Sequence, residues 1–135
     1  TVYQRAKTRL MDMAFGESEE GRSVREEFAG LWDALHRFSK EHTEEFVFLE
    51  LHNRAAYMDA ENQALDDRSR QALCDFVRRG QSAGALRPLD PNLAVSAAEG
   101  IFLAVFKDDR AGRLSAREAA YREAQEAAWR AIASL

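Results

Sequence analysis

The chain has 135 residues, 46% of them hydrophobic and 31% charged, which is enough for one real core and too few for two comfortable ones. A formal net charge of -4 excludes a strongly nucleic-acid-binding or anionic-membrane-binding surface, because either needs concentrated Lys and Arg. The single Cys74 excludes an intrachain disulfide and a cysteine-rich zinc site.

Val2, Ala6, Leu10 and Met13 recur at helical spacing until Gly16 supplies a stop, so a first helix is expected. It opens at Thr1 already inside the pattern and without a signal peptide, as expected for a cytoplasmic protein and for a piece of a longer chain. Arg5, Lys7 and Arg9 are too few to make a nucleic-acid groove. After the polar connection GESEEGRS, Ser23 and Glu26 form a capping box, and Val24, Phe28, Leu31, Trp32, Leu35 and Phe38 follow on one face to about Lys40.

Thr43 either caps a new helix or marks a bend in a continuous one, with Glu44 and Glu45 suited to a positive helix end. The run Phe46-Val47-Phe48-Leu49-Glu50-Leu51-His52 is apolar on nearly every side and reads equally as a strand by periodicity. An i,i+4 pair of Glu50 with Arg54, and Ala55, Ala56 and Met58 beyond it, favour a helix. Asp59 to Asp67 reads as a turn or as the start of the next helix. Leu65, Ala72, Leu73, Phe76 and Val77 then mark about six turns, closing through Gly80 to Gly84.

Pro88 and Pro91 enforce a corner, with Leu86 and Leu89 expected to pin it to the core. Asp90 suits an N-cap and Pro91 the first helical position. Along the helix that follows, Asn92, Ser96, Glu99 and Lys107 lie on one strip, Ala97, Gly100 and Ala104 on a second, and Val95, Ala98, Phe102, Val105 and Phe106 on a third. Apolar surface covers roughly two-thirds of it, against the ~100° stripe of an ordinary surface helix. One face has its own core to fill and the other calls for a second subunit. Ser115 with Glu118 reads as a second capping box for a last helix through Ile132, in which Ala120, Ala124, Ala127 and Ala131 make a stripe for close helix packing. The expected fold is all-α, an antiparallel bundle of about six helices in one domain, residues 1–135. No apolar run approaches the ~18 residues of a membrane span.

The order of parts is recognisable. An aromatic-rich central helix from Phe46 to Met58 precedes a helix ending Gly80-Gln81-Ser82-Ala83-Gly84-Ala85-Leu86-Arg87-Pro88-Leu89-Asp90-Pro91, and the chain closes with Glu126-Ala127-Ala128-Trp129-Arg130-Ala131-Ile132. Together these resemble the C-terminal regulatory domain of TetR/AcrR-family transcriptional repressors, over almost the whole chain. The resemblance implies that the last two helices of each subunit form a four-helix dimer interface and that the preceding helices enclose an effector pocket. It also implies that DNA is bound by an N-terminal helix-turn-helix domain, for which these residues have no room.

Ala97, Gly100, Ala104, Ala120, Ala124, Ala127 and Ala131 are the expected homodimer contacts. Phe28, Trp32, Phe48, Phe76, Phe102 and Phe106 either line a pocket for a flat or greasy small molecule or fill a solid core. His36 and His52, each one turn after an aromatic, are candidate polar anchors, with partly buried, hydrogen-bonded histidines as the plain alternative. Tyr57 is placed at the pocket or its mouth. His42 reads as solvent-facing, and spacings of six and ten residues argue against a metal site among the three histidines. Glu99 is expected to reach solvent or the neighbouring subunit. Cys74 reads as a small core residue. There is no phosphate loop, nucleophile elbow, HExxH or CxxC, so neither a cofactor nor an enzyme is indicated. A stand-alone helical carrier or protein-interaction module, and more remotely a small helical enzyme, are the competing readings.

Overall fold

Six α-helices follow one another in the computed structural model, which describes residues 2–16, 21–52 and 59–135, with backbone alone at 51 and 52. They are α1 (Val2–Phe15), α2 (Val24–Glu41), α3 (Thr43–His52), α4 (Ala60–Ser82), α5 (Pro91–Arg110) and α6 (Arg117–Ile132). Among the described residues, extended pairing is limited to an isolated antiparallel bridge between Leu86 and Ala133. The fold is all-α. The helices gather into two compact units, residues 1–72 and 73–135.

In the first unit α1, α2 and α3 pack on one another around Tyr3, Ala6, Phe28, Trp32, Phe38, Phe46 and Leu49, all buried. The Ser23–Glu26 capping box is formed in both directions, each bond 3.1 Å long, so two orphan amides of α2 are satisfied at its first turn. Thr43 is neither a cap nor a bend in one continuous helix, since α2 ends at Glu41 and Thr43 is the first residue of α3. Its hydroxyl donates back to the carbonyl of Ser39 at 2.8 Å, serving the end of α2 rather than the start of α3. The ambiguous run from Phe46 is helical, and Phe38 meets Phe46 edge-on at 6.3 Å. The Glu50–Arg54 pair lies outside the described residues, as do Ala55, Ala56 and Met58. The polar stretch after Asp59 is the helical start: Asp59 Oδ1 accepts from the Asn62 amide at 2.8 Å, an N-cap. The first turns of α4 are tied to α1 by Gln4, which donates to Glu61 and Asn62 at 3.0 and 3.2 Å, and by Lys7 with Asp66 at 3.2 Å.

The second unit is built on an α5–α6 hairpin resting with the last turns of α4. Gly84 ends α4 at φ +76°, letting Ala85 N–H reach back to Gly80 O at 2.9 Å, and Gly112 ends α5 at φ +72° with Arg113 N–H on Asp108 O at 3.0 Å. Both are Schellman closures, where only glycine avoids a Cβ clash. Asp90 caps α5 as expected, accepting from Asn92 N–H at 2.8 Å, with Pro91 in the first turn. Leu86 is buried and Leu89 half-buried, so the corner is pinned chiefly through Leu86.

The second capping box does not form. Ala116, not Ser115, is the N-cap of α6, and no side chain caps it. The first turn is placed instead by Asp109 at the end of α5, which accepts from Arg117 Nη2 at 3.1 Å and from the Tyr121 hydroxyl at 3.0 Å. A tertiary anchor with two donors outweighs a local motif worth about 1 kcal/mol.

Candidate functional site

The apolar face of α2 sets up the aromatic wall of the first unit. Phe28 and Trp32, one turn apart, are buried with ring centroids 6.3 Å apart, while His36 on the next turn and Phe48 on α3 are half-buried. Tyr57 and the side chain of His52 lie outside the described residues. Tyr3 adds a feature that periodicity did not single out. Its hydroxyl is buried and, among the described residues, has no hydrogen-bond partner. Burial first, then the nearby carboxylates of Asp66 and Glu50, push its phenol up to about 12.

In the second unit Phe102, fully buried, stacks on Phe106 one turn on at 6.4 Å and meets Tyr121 of α6 at 5.8 Å. Arg110 lies 5.7 Å over the outer ring, Phe106. Phe76 is buried on α4, and so is Cys74, whose thiol donates to the Asn92 side-chain oxygen at 3.4 Å. The Tyr121 phenol is pushed above its ordinary range by burial and by Asp109, and Asp109 in turn holds the exposed Arg117 above its own. The aromatics expected to meet an effector thus divide four and three between the units, counting His36 with Phe28, Trp32 and Phe48. The structure brings Phe28 and Trp32 together in the first unit and Phe102 and Phe106 in the second.

The residues expected at a dimer contact all belong to the second unit. Gly100, Ala104 and Ala127 are exposed, Ala97, Ala120 and Ala131 half-buried, and Ala124 buried within its own chain. Leu93, two turns before Gly100 on the same face, is 56% exposed. Glu99 is half-buried. A Cβ added to Gly100 would meet no atom within 4 Å.

Other polar features were not visible in periodicity. Gln81 donates from its side-chain amide to the carbonyls of Arg87 at 2.9 Å and Leu89 at 2.7 Å, holding the corner from α4. Arg87 donates from its backbone to Ile132 O at 2.8 Å and from its guanidinium to Ala131 O at 3.0 Å, satisfying carbonyls at the end of α6. His42 is half-buried rather than solvent-facing, because Phe38 stacks on it at 5.4 Å and Arg9 reaches it from α1. None of these contacts carried a local signal, since each depends on which segments meet.

Beside α1 an open cleft of about 570 Å³ is lined, among the described residues, by Gln4, Arg5, Thr8, Arg9, Asp12 and Met13, none of them an expected effector residue. Among the described residues no group of three or more His, Cys, Asp or Glu side chains could hold a metal ion, and no helix is long and apolar enough to cross a membrane.

Comparison with known proteins agrees with this architecture. The family model described as "Tetracyclin repressor-like, C-terminal domain" matches residues 3–134. The chain therefore belongs to that family, the C-terminal domain of TetR-type transcription regulators. Similar solved structures include a TetR family transcription regulator from Marinobacter aquaeolei VT8, with a TM-score of 0.83 at 22% identity, and a protein of unknown function from Rhodococcus sp. RHA1, with 0.80 at 21%. In each case the match covers 98% of this chain and 70% of the other. At such identities the likeness is one of fold. No curated protein sequence matches significantly.

Proposed function

We propose that residues 1–135 act as one regulatory domain, the effector-sensing and dimerisation part of a TetR-type repressor. It binds a small apolar or aromatic molecule and thereby controls operator binding by a helix-turn-helix domain outside these residues. The homodimer forms through α5 and α6, with Leu93, Ala97, Gly100 and Ala104 facing the partner copy beside Ala120, Ala124, Ala127 and Ala131. Phe28, Trp32, His36, Phe48, His52, Tyr57, Phe76, Phe102 and Phe106 supply the effector surface. An effector acts only through different affinities for two arrangements of the helices, and that difference sets the spacing of the two DNA-binding domains.

The observation that carries this reading is Gly100. A mid-helix glycine costs about 1 kcal/mol relative to alanine, and no atom of the described residues lies within 4 Å of where its Cβ would be, so their packing gives no reason for it. A helix of a second copy approaching over Gly100 gives one. Sedimentation of the chain at micromolar concentration is expected to show a dimer, and Gly100→Arg or Ala127→Arg a folded monomer. A monomeric starting protein, or a dimer indifferent to both substitutions, sends the interface elsewhere. Native mass spectrometry of gently purified protein then looks for the retained effector. A gene region upstream of Thr1 lacking a helix-turn-helix would favour a stand-alone carrier.

A further inference from the structure

Tyr3 on α1 is 4% exposed, and its hydroxyl is buried with no hydrogen-bond partner among the described residues. A phenol held there has lost its water and gained no bond, which costs stability. The carboxylates that bear on it are those of Asp66 on α4 and Glu50 on α3. Two anions beside the hydroxyl disfavour a third and favour a positively charged donor, which the lone pairs of the phenol oxygen can accept.

The side of α4 that meets α1 is polar as well. Asn62, Asp66 and Ser69 follow at spacings of four and three on one face, and Asn62 and Ser69 are only 9% and 7% exposed. Gln4 reaches this face at Glu61 and Asn62, and Lys7 at Asp66. Polar side-chain contacts of that kind exchange with water, so they part for a ligand more easily than an interdigitated apolar seam. The ion pair also displays the head group that suits the place: Asp66 already holds an ammonium, that of Lys7, at 3.2 Å. Residues 1–72 carry ten Lys and Arg against fifteen Asp and Glu, so the first unit as a whole draws cations. Phe28 and Trp32, in the same unit, offer aromatic rings to the remainder of such a molecule.

We propose that the Tyr3 hydroxyl, with Asp66 and Glu50 beside it, is the polar anchor of the effector site, and that the effector is an organic cation, an apolar or aromatic body carrying a protonated amine. The ammonium N–H donates to the Tyr3 oxygen, its charge is met by the two carboxylates, and the body lies against the aromatic wall. This rests on the effector-sensing role proposed above and narrows it from any apolar or aromatic molecule to a cationic one.

Three ligands with one body and different heads test it on the whole chain: 1-naphthylmethylamine, 1-naphthylmethanol and 1-naphthylacetate, titrated by calorimetry at about pH 7.5, where the amine is protonated. The amine is expected to bind at least about tenfold tighter than the carboxylate, with the alcohol between them. Tyr3→Phe, which keeps the ring and its packing, is expected to weaken the amine about ten- to hundredfold, the span of one hydrogen bond to a charged group, and to leave the carboxylate unchanged. Asp66→Asn should erase the preference for the amine. Should that variant not fold, Lys7→Met serves, since it leaves Asp66 to the ligand and should tighten the amine. A carboxylate that binds as tightly as the amine, or an amine indifferent to Tyr3→Phe, overturns the anchor and leaves the effector-sensing role standing. Binding of none of the three also overturns the anchor, and the native mass spectrum of the purified chain then shows whether the role falls with it.

Discussion

Tyr3 places a phenol where the described residues offer no acceptor, between two carboxylates that disfavour its ionisation. Removing the hydroxyl removes a desolvated group with no compensating bond, so Tyr3→Phe should leave stability unchanged or raise it by about 1 kcal/mol, read as a shifted urea midpoint at constant slope. A loss of more than that would mean that the hydroxyl has a partner. The pH dependence has a definite sign. The folded-state value is raised to about 12 above the ordinary phenol value, so the folded chain holds this proton longer than the unfolded chain does. The stabilisation is complete below about pH 10 and is lost as pH rises from there through about 12. Tyr121, raised in the same direction by burial and Asp109, adds to the alkaline loss. Stability measured from about pH 9 to about pH 11.5 should therefore fall less steeply in Tyr3→Phe than in the parent chain, and equal slopes would detach Tyr3 from the effect.

At the scale of elements, local rules read well where the partner sits within a turn. Ser23 with Glu26, Asp90 with Pro91, and the glycine that closes α4 all act within a few residues of themselves, and each was legible as sequence. The boundary of α6 was not, because Asp109 reaches across a connection to set it, and Ser115 with Glu118 matched a motif that the hairpin overrides. Gln81 was illegible for the same reason: nothing in a polar residue near a helix end says that two carbonyls of the next corner will converge on it. Its substitution makes a clean test. Gln81→Ala should cost about 1–2 kcal/mol by leaving the Arg87 and Leu89 carbonyls with one donor fewer, whereas Arg78→Ala, an exposed residue paired with Asp75 one turn before it, should stay within about 0.5 kcal/mol. Equal costs would show that the corner stands without its clamp.

For the whole molecule, the fold class follows from helical periodicity, since six apolar patterns with capping signals leave little else to form. The functional surfaces are less legible, for a physical reason. An aromatic such as Phe102 is required at its spacing by the core of one subunit, so the same residue type answers equally to packing and to a ligand. Gly100 differs: it costs the helix about 1 kcal/mol, and no described atom lies within 4 Å of where its Cβ would be. If α5 and α6 are completed by a second copy, unfolding is coupled to dissociation. The denaturation midpoint should then rise with protein concentration, each tenfold increase adding about 1.4 kcal/mol to the dimer's stability. A midpoint constant from low to high micromolar concentration would argue for subunits stable alone.

The Leu86–Ala133 bridge is small, yet it changes what the second unit can do mechanically. Ser134 N–H bonds Ala85 O at 2.9 Å while Arg87 N–H bonds Ile132 O, so the end of α6 is knotted to the strip of chain that leaves α4 and begins α5. Gln81 fastens the same strip from the other side. Three helix ends thus share one joint, and at the opposite end of the hairpin Asp109 ties α5 to Arg117 and Tyr121 of α6 beside the turn at Gly112. A load applied to α6 is therefore carried straight into the last turn of α4 and the start of α5 at the knot.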